Sequence, residues 1–199
     1  MKKTEIVFLL DRSGSMAGLE NDTIGGYNSF LEKQKKLKGE VKITTVLFDS
    51  SLEFLHDGKD ILDVKPLTEK DYCVGSTTSL MDAIGFTIQK ISKRSKNSKV
   101  IFVITTDGME NSSREFTRDK VKKLIISKKD WEFIYLGANI DAYQEGMSIG
   151  ISKKHISNYE ASSKCTRAMY GCLSEAVCKL ANDEELDACW NSNLEMNRS

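Results

Sequence analysis

The sequence predicts a three-layer α/β fold built on a mostly parallel sheet. IVFLL (6–10) and VIFVI (100–104) are unbroken apolar runs, as expected for strands covered on both faces. Runs rich in β-branched and aromatic residues alternate with segments of 3.6-residue period, giving the order β-α-β-β-α-β-α-β-α. The two-residue junction Asp49-Ser50 between VKITTVLF (41–48) and SLEFL (51–55) is too short for a helical crossover, so one pair of strands is an antiparallel hairpin.

After the first strand, Ile24, Tyr27, Phe30, Leu31 and Leu37 mark a first helix. The hairpin follows, and then Leu80, Ile84, Ile88 and Ile91 mark a second helix leading into VIFVI. A third helix is read from Val121, Leu124 and Ile125, with Ser112-x-x-Glu115 as its capping box. WEFIYLG (131–137) is the next strand. The stripe Cys165, Met169, Cys172, Leu173, Ala176 and Leu180 forms a final helix that docks on the sheet. Residues 182–199 keep no period and are expected as a flexible tail, with Trp190 able to tuck back. One proline, Pro66, and the lack of repeats or low-complexity tracts leave one domain over residues 1–181. Lysines near the helix C-termini, such as Lys33, Lys90 and Lys128, match the helix dipoles and should collect on the floor opposite the strand C-termini.

A chain of 199 residues with 40% hydrophobic content is long enough to bury a substantial core. Its 29 basic and 29 acidic residues cancel, which gives no support to a nucleic-acid partner. The first apolar run, Ile6 to Leu10, is too short for a membrane span or a secretion signal, so a soluble, cytoplasmic protein is expected. The five cysteines are odd in number and contain no C-x-x-C pair, pointing to reduced thiols. Cys165 and Cys172 would lie about 10.5 Å apart along a helix axis, beyond the ~7 Å reach of a disulfide.

The chemistry concentrates in LLDRSGSMAG (9–18), where Asp11, Ser13 and Ser15 place a carboxylate and two hydroxyls at alternate positions after a buried strand. Asp107 follows the other apolar run, in ITTDG. If these two strands adjoin where the sheet order reverses, the carboxylates converge in the crevice where open α/β sheets bind ligands. Two acids so placed repel each other unless a cation sits between them. VGSTTSLMDAIGF supplies further hydroxyls, Thr77 or Thr78, at the entrance to the second helix. Neutral oxygens with few carboxylates suit Mg2+, Mn2+ or Ca2+ rather than zinc. Taken singly, Asp11, Ser13 and Ser15 also fit a turn or capping cluster; the joint presence of Thr and Asp107 favours a metal shell.

Asp11-x-Ser13-x-Ser15, the Gly-Ser-Thr-Thr loop and Thr-Asp107-Gly together resemble the metal-ion-dependent adhesion site of von Willebrand factor A domains. The resemblance covers roughly residues 4 to 150 and makes Thr78 the metal threonine, while Thr77 stands where the family has a small residue. It implies a doubly wound, Rossmann-like sheet of about six strands with one antiparallel edge strand. It also implies Ser13, Ser15 and Thr78 as direct ligands, with Asp11 and Asp107 ligating directly or through water. An open position on the metal would accept an Asp or Glu carboxylate from a partner protein. YLGANIDAYQEGMSIGI and ISNYEAS…AMYGCLSEAV resemble small stand-alone A-domain proteins of bacteria and their phages, among whose relatives AAA+ ATPases, kinases and assembly components are partners.

Asn111 and Asp141 are candidate rim residues, Asn111 with helix capping as its competing role. Arg12 and Met16 have no assigned role, His56 and His155 are expected at the surface, and Tyr143 and Tyr170 in packing. A phosphatase or phosphotransferase is the competing function, since a metal beside an acid also serves phosphoryl transfer. Position 13 is serine where haloacid-dehalogenase-like enzymes need D-x-D, and no phosphate loop or G-x-S-x-G elbow occurs. No catalytic base or nucleophile stands out, so a non-enzymatic binding module is expected, with a purely structural assembly subunit as the third reading.

Overall fold

A computed structural model describes residues 3–187 and 189–195. In chain order the elements are β1 (Lys3–Asp11), α1 (Glu20–Gln34), β2 (Glu40–Phe48), β3 (Leu52–Asp60), α2 (Leu80–Ser92), β4 (Lys99–Thr106), α3 (Arg118–Ser127), β5 (Trp131–Ala138), α4 (Ala142–Ser148), β6 (Ile156–Tyr159), α5 (Ser163–Ala181) and a short α6 (Ser192–Glu195). The six strands lie in the order β3-β2-β1-β4-β5-β6. All pairs are parallel except β2–β3, the expected antiparallel edge hairpin.

Strand alternation explains the continuous apolar runs. In β1, Ile6, Phe8 and Leu10 enter one core layer with residues of α1 and α5, while Val7 and Leu9 enter the other with residues of α2, α3 and α4. Because helices cover both faces, neither parity of side chain is polar along the strand's centre. On the α1–α5 side Phe8 packs edge-on against Tyr27 and Phe30 and stacks with Tyr170. Gly26 permits this approach: a Cβ there would lie 2.0 Å from the Tyr170 ring. Among the described residues no helix is long and apolar enough to cross a membrane, and no two cysteines form a disulfide.

Several expectations change. The third helix starts at Arg118 with Thr117 as its cap, whose hydroxyl accepts from Lys120 N–H, rather than at a Ser112–Glu115 box. The box fails because the N–H groups of Ser112 and Ser113 go to Glu110, and those of Arg114, Glu115 and Phe116 go to Asp82. His155 is buried rather than at the surface; it lies 3.8 Å from Glu132, and burial holds its pKa below the usual histidine value. Packing also continues past residue 181. Leu186 and Leu194 join the α1–α5 core layer, and Trp190 Nε1 donates to the Lys154 carbonyl at 2.8 Å. For residues 188 and 196–199 the expected tail lies outside the described residues. Helix α4 and strand β6, of 7 and 4 residues, escape the periodicity reading because neither completes enough turns or alternations to show a period.

Adjacent glycines in α1 should behave oppositely. Gly26→Ala forces a methyl into the Tyr170 ring and should destabilise by about 1–3 kcal/mol. Gly25→Ala meets nothing within 4 Å and should stabilise by about 0.5–1 kcal/mol. Urea unfolding of the two variants reads both signs.

Candidate functional site

The sheet order reverses between β1 and β4, so the helical connections leave on opposite faces and open a crevice above those two strands. Asp11 is the last residue of β1, and the register pairing Leu10 with Thr105 brings it level with Thr106. Thr106 Oγ1 donates to Asp11 Oδ2 at 2.5 Å. The other carboxylate oxygen accepts from Ser13 N–H at 2.7 Å, which bends the chain into the 3-10 turn Gly14–Met16. That turn returns Ser15 over the crevice, where its hydroxyl donates to Asp107 Oδ1 at 2.6 Å and lies 3.2 Å from Ser13 Oγ. Tyr72, which sequence reasoning passed over, supports the turn from below by donating to the Asp11 carbonyl at 2.5 Å.

Thr78 completes the cluster from the loop before α2. A Cβ placed on Gly108 would lie 2.8 Å from Thr78 Oγ1, 3.3 Å from Ser15 Oγ and 3.4 Å from Ser13 Oγ. Three hydroxyl oxygens thus surround one point above Gly108, with Asp107 bound to Ser15 beside them. Glycine at 108 keeps this cradle open, because a side chain there would press on the Thr78 hydroxyl.

Long-range capping holds Thr78 in place. Asn111 Oδ1 accepts from Thr78 N–H at 2.9 Å, and Asn111 N–H donates back to the Thr78 carbonyl at 3.1 Å. The first turn of α2 has no cap of its own. Met81 N–H instead donates to Glu110 Oε2 and Asp82 N–H to Ser113 Oγ, at 2.8 and 3.0 Å. Asp82 returns the interaction by accepting three N–H groups of residues 114–116. The loop carrying Asp107 and the loop carrying Thr78 are therefore one hydrogen-bonded unit. The L-x-D-A spacing after Thr78 contained this signal, in Asp82, but its partners lie more than thirty residues away.

The remaining sequence candidates divide clearly. Thr77 is exposed beside Thr78. Asn111 is exposed, and its side chain positions Thr78 instead of capping α3. Asp141 is the N-cap of α4, accepting from Gln144 N–H at 3.0 Å, and no hydrogen bond joins it to the cluster among the described residues. Met16 is buried. Arg12 turns toward the hairpin, pairing with Asp49 at 3.3 Å and Glu53 at 2.6 Å.

Both acids are electrostatically stressed. Burial raises the Asp11 pKa to about 6; bonds from Ser13 and Thr106 oppose the rise, and the charge of Asp107 adds to it. Burial raises Asp107 as well, against its bond from Ser15. Among the described residues no Lys or Arg forms an ion pair with either carboxylate, and no group of three or more His, Cys, Asp and Glu converges anywhere. The donor set is thus all oxygen, rich in hydroxyls and poor in carboxylates. It fits a hard divalent cation and does not fit zinc.

The fold is a von Willebrand factor A-like α/β fold. Similar solved structures include the pilus adhesin SpaC from Lactobacillus rhamnosus GG, with a TM-score of 0.70 and 14% identity over 90% of this chain and 30% of that one. The ArnB paralog VWA2 from Sulfolobus acidocaldarius gives 0.62 and 18% identity over 88% and 45%, and a von Willebrand factor type A protein from Catenulispora acidiphila gives 0.61 and 10% over 87% and 42%. The chain spans less than half the length of each. No protein-family model matches the sequence, and no curated protein does.

The raised Asp11 pKa fixes the sign of a pH effect on the metal-free protein. An ordinary aspartate, near 3.8, ionises before this one does, near 6. Stability from Asp11 is therefore full below about pH 4 and is lost as pH rises through about 6, by roughly 3 kcal/mol. Asp11→Asn removes the charge, keeps an oxygen to accept from Ser13 N–H, and places an amide N–H where the Thr106 hydroxyl can accept it. In EDTA at pH 7.5 it should melt about 6–12 °C above wild type, and an unchanged or lower melting temperature would contradict the desolvation argument.

Proposed function

We propose that the chain is a divalent-metal-dependent protein-binding module, of the metal-ion-dependent adhesion type, that engages an acidic side chain of a partner protein. The observation that carries the reading is the cradle above Gly108, where Ser13, Ser15 and Thr78 present hydroxyl oxygens to one point beside the buried carboxylates of Asp11 and Asp107. Those five residues would hold Mg2+, or Mn2+ or Ca2+. When bound, the cation would have its charge balanced by the two carboxylates while its other protein donors are weakly donating neutral hydroxyls, so it would stay a Lewis acid able to accept an anionic oxygen from outside.

The protein's own groups prepare that position. Ser13 N–H and Thr106 orient the Asp11 carboxylate, the 3-10 turn presents Ser15, and Asn111 fixes the Thr78 backbone. The hydroxyls of Ser15 and Thr106 do donate to carboxylates, but both acids belong to the proposed metal shell and no histidine or lysine joins either pair among the described residues, which favours recognition over bond breaking. SpaC, one of the solved structures of similar fold, is a pilus adhesin, and von Willebrand factor A-like folds commonly serve protein interactions. A partner from the AAA+ ATPase, kinase or assembly-component classes would have to offer an accessible Asp or Glu. The absence of net charge and of any membrane-spanning helix among the described residues fits a protein partner rather than nucleic acid or bilayer.

Thermal melting with and without Mg2+ or Mn2+ tests the metal. A cation at about one hundred times its Kd should add about 2.7 kcal/mol, a rise of roughly 5–10 °C. Asp11→Ala and Thr78→Ala should abolish the rise, and Gly108→Ala should reduce it by filling the cradle. Equal metal response in Asp11→Ala would sink the reading. So would Mg2+-dependent hydrolysis of phosphate esters that disappears in Asp11→Asn, which would make the site an enzyme's.

A further inference from the structure

Beside the Thr78 loop lies a groove of about 300 Å3, walled by Ser50, Ser51 and Leu52 of the hairpin tip, Thr77 and Ser79, and Ser112 and Arg114. Its base is the outward face of α2, with Ala83 and Phe86. The loops that build the oxygen cluster also build this groove. Thr77 and Ser79 flank Thr78 in sequence, Ser112 follows the Asn111 that holds Thr78, and Ser79 and Ser112 share a hydroxyl hydrogen bond of 2.9 Å.

Its chemistry is specific. Phe86 is 42% exposed and packs edge-on against Phe116, which lies across Gly85. Met109, next to Gly108 in sequence, is 67% exposed. The groove's one acid, Asp82, has its carboxylate committed to three backbone N–H groups. Its one cation, Arg114, is exposed and makes no ion pair among the described residues, whereas Arg12 on the same edge is committed to Asp49 and Glu53. An apolar base with an uncommitted guanidinium at its rim, adjoining a carboxylate-accepting site, complements an acidic segment carrying a bulky apolar side chain.

Resting on the adhesion-site reading above, we propose that the groove over Phe86 is the specificity half of the binding surface. It receives an aromatic or large aliphatic side chain next to the partner residue whose carboxylate enters the cradle, and Arg114 attracts the surrounding negative charge.

Small carboxylates test this without a known partner. Phenylpropionate, phenylbutyrate and phenylvalerate would each be titrated against propionate, butyrate and valerate in saturating Mg2+, followed by amide chemical shifts. At least one phenyl acid should bind about tenfold tighter than its alkyl counterpart, with shifts at Phe86 and Ser112. In Phe86→Lys that ratio should fall to one, and Arg114→Glu should weaken every carboxylate. Equal affinities across all three pairs overturn the groove assignment, as does a phenyl advantage that persists undiminished in EDTA. No Mg2+-dependent binding of any carboxylate overturns the adhesion-site reading itself, which keeps the two failures distinct.

Discussion

The upper edge of this molecule is organised by the burial of one carboxylate. Asp11 ends a strand that is enclosed by sheet neighbours on both sides and helices on both faces, so its side chain emerges into protein rather than water, at 1% exposure. An ionised group there costs several kcal/mol unless it is matched. The surroundings supply hydrogen bonds from Ser13 and Thr106, yet these leave its pKa near 6. The turn, the serines and the threonine loop are arranged around that incompletely satisfied group.

Glycine and capping chemistry then determine how closely the loops approach. Gly108 leaves room for three hydroxyls to face one point, and Gly75 admits Asp49, whose Oδ2 would stand 2.0 Å from a Cβ. Asp49 in turn holds Arg12, and the Gly75 N–H donates to the Arg12 carbonyl at 2.6 Å. The first turn of α2 borrows its caps from residues 110–113, so the helix start that carries Thr78 cannot shift without moving the loop that carries Asp107. Preorganisation of this kind comes from backbone N–H groups of each loop donating to side-chain oxygens of the other.

What the sequence made legible follows the range of each interaction. Buried parallel strands announce themselves locally, so Ile6–Leu10 and Val100–Ile104 were readable, as were the alternate oxygens of Asp11, Ser13 and Ser15. The adjacency of β1 and β4 entered only as a condition, and the topology meets it. Ser112-x-x-Glu115 misled because capping was judged from four neighbouring residues, while the true acceptor of the Glu115 N–H is Asp82, 33 positions away. His155 escapes sequence reading for a similar reason: it lies against Glu132 of β5, more than twenty positions away.

The floor of the sheet shows that Asp11's situation is not a general property of buried acids in this fold. Glu5, on the same strand and 3% exposed, receives the Arg94 guanidinium at 2.6 Å and the Thr44 hydroxyl at 2.9 Å, with Asp57 and Lys90 extending the network. That acid is matched by a protein cation, as a structural buried carboxylate should be. At the other end of β1 an arginine immediately follows the acid in sequence, and it points away to Asp49 and Glu53. The same strand therefore ends in two buried carboxylates, one given a cation by the chain and one denied the cation within nearest reach. Structural compensation accounts for the first. The second carries no ion pair among the described residues, which is the electrostatic feature that the proposed metal reading rests on.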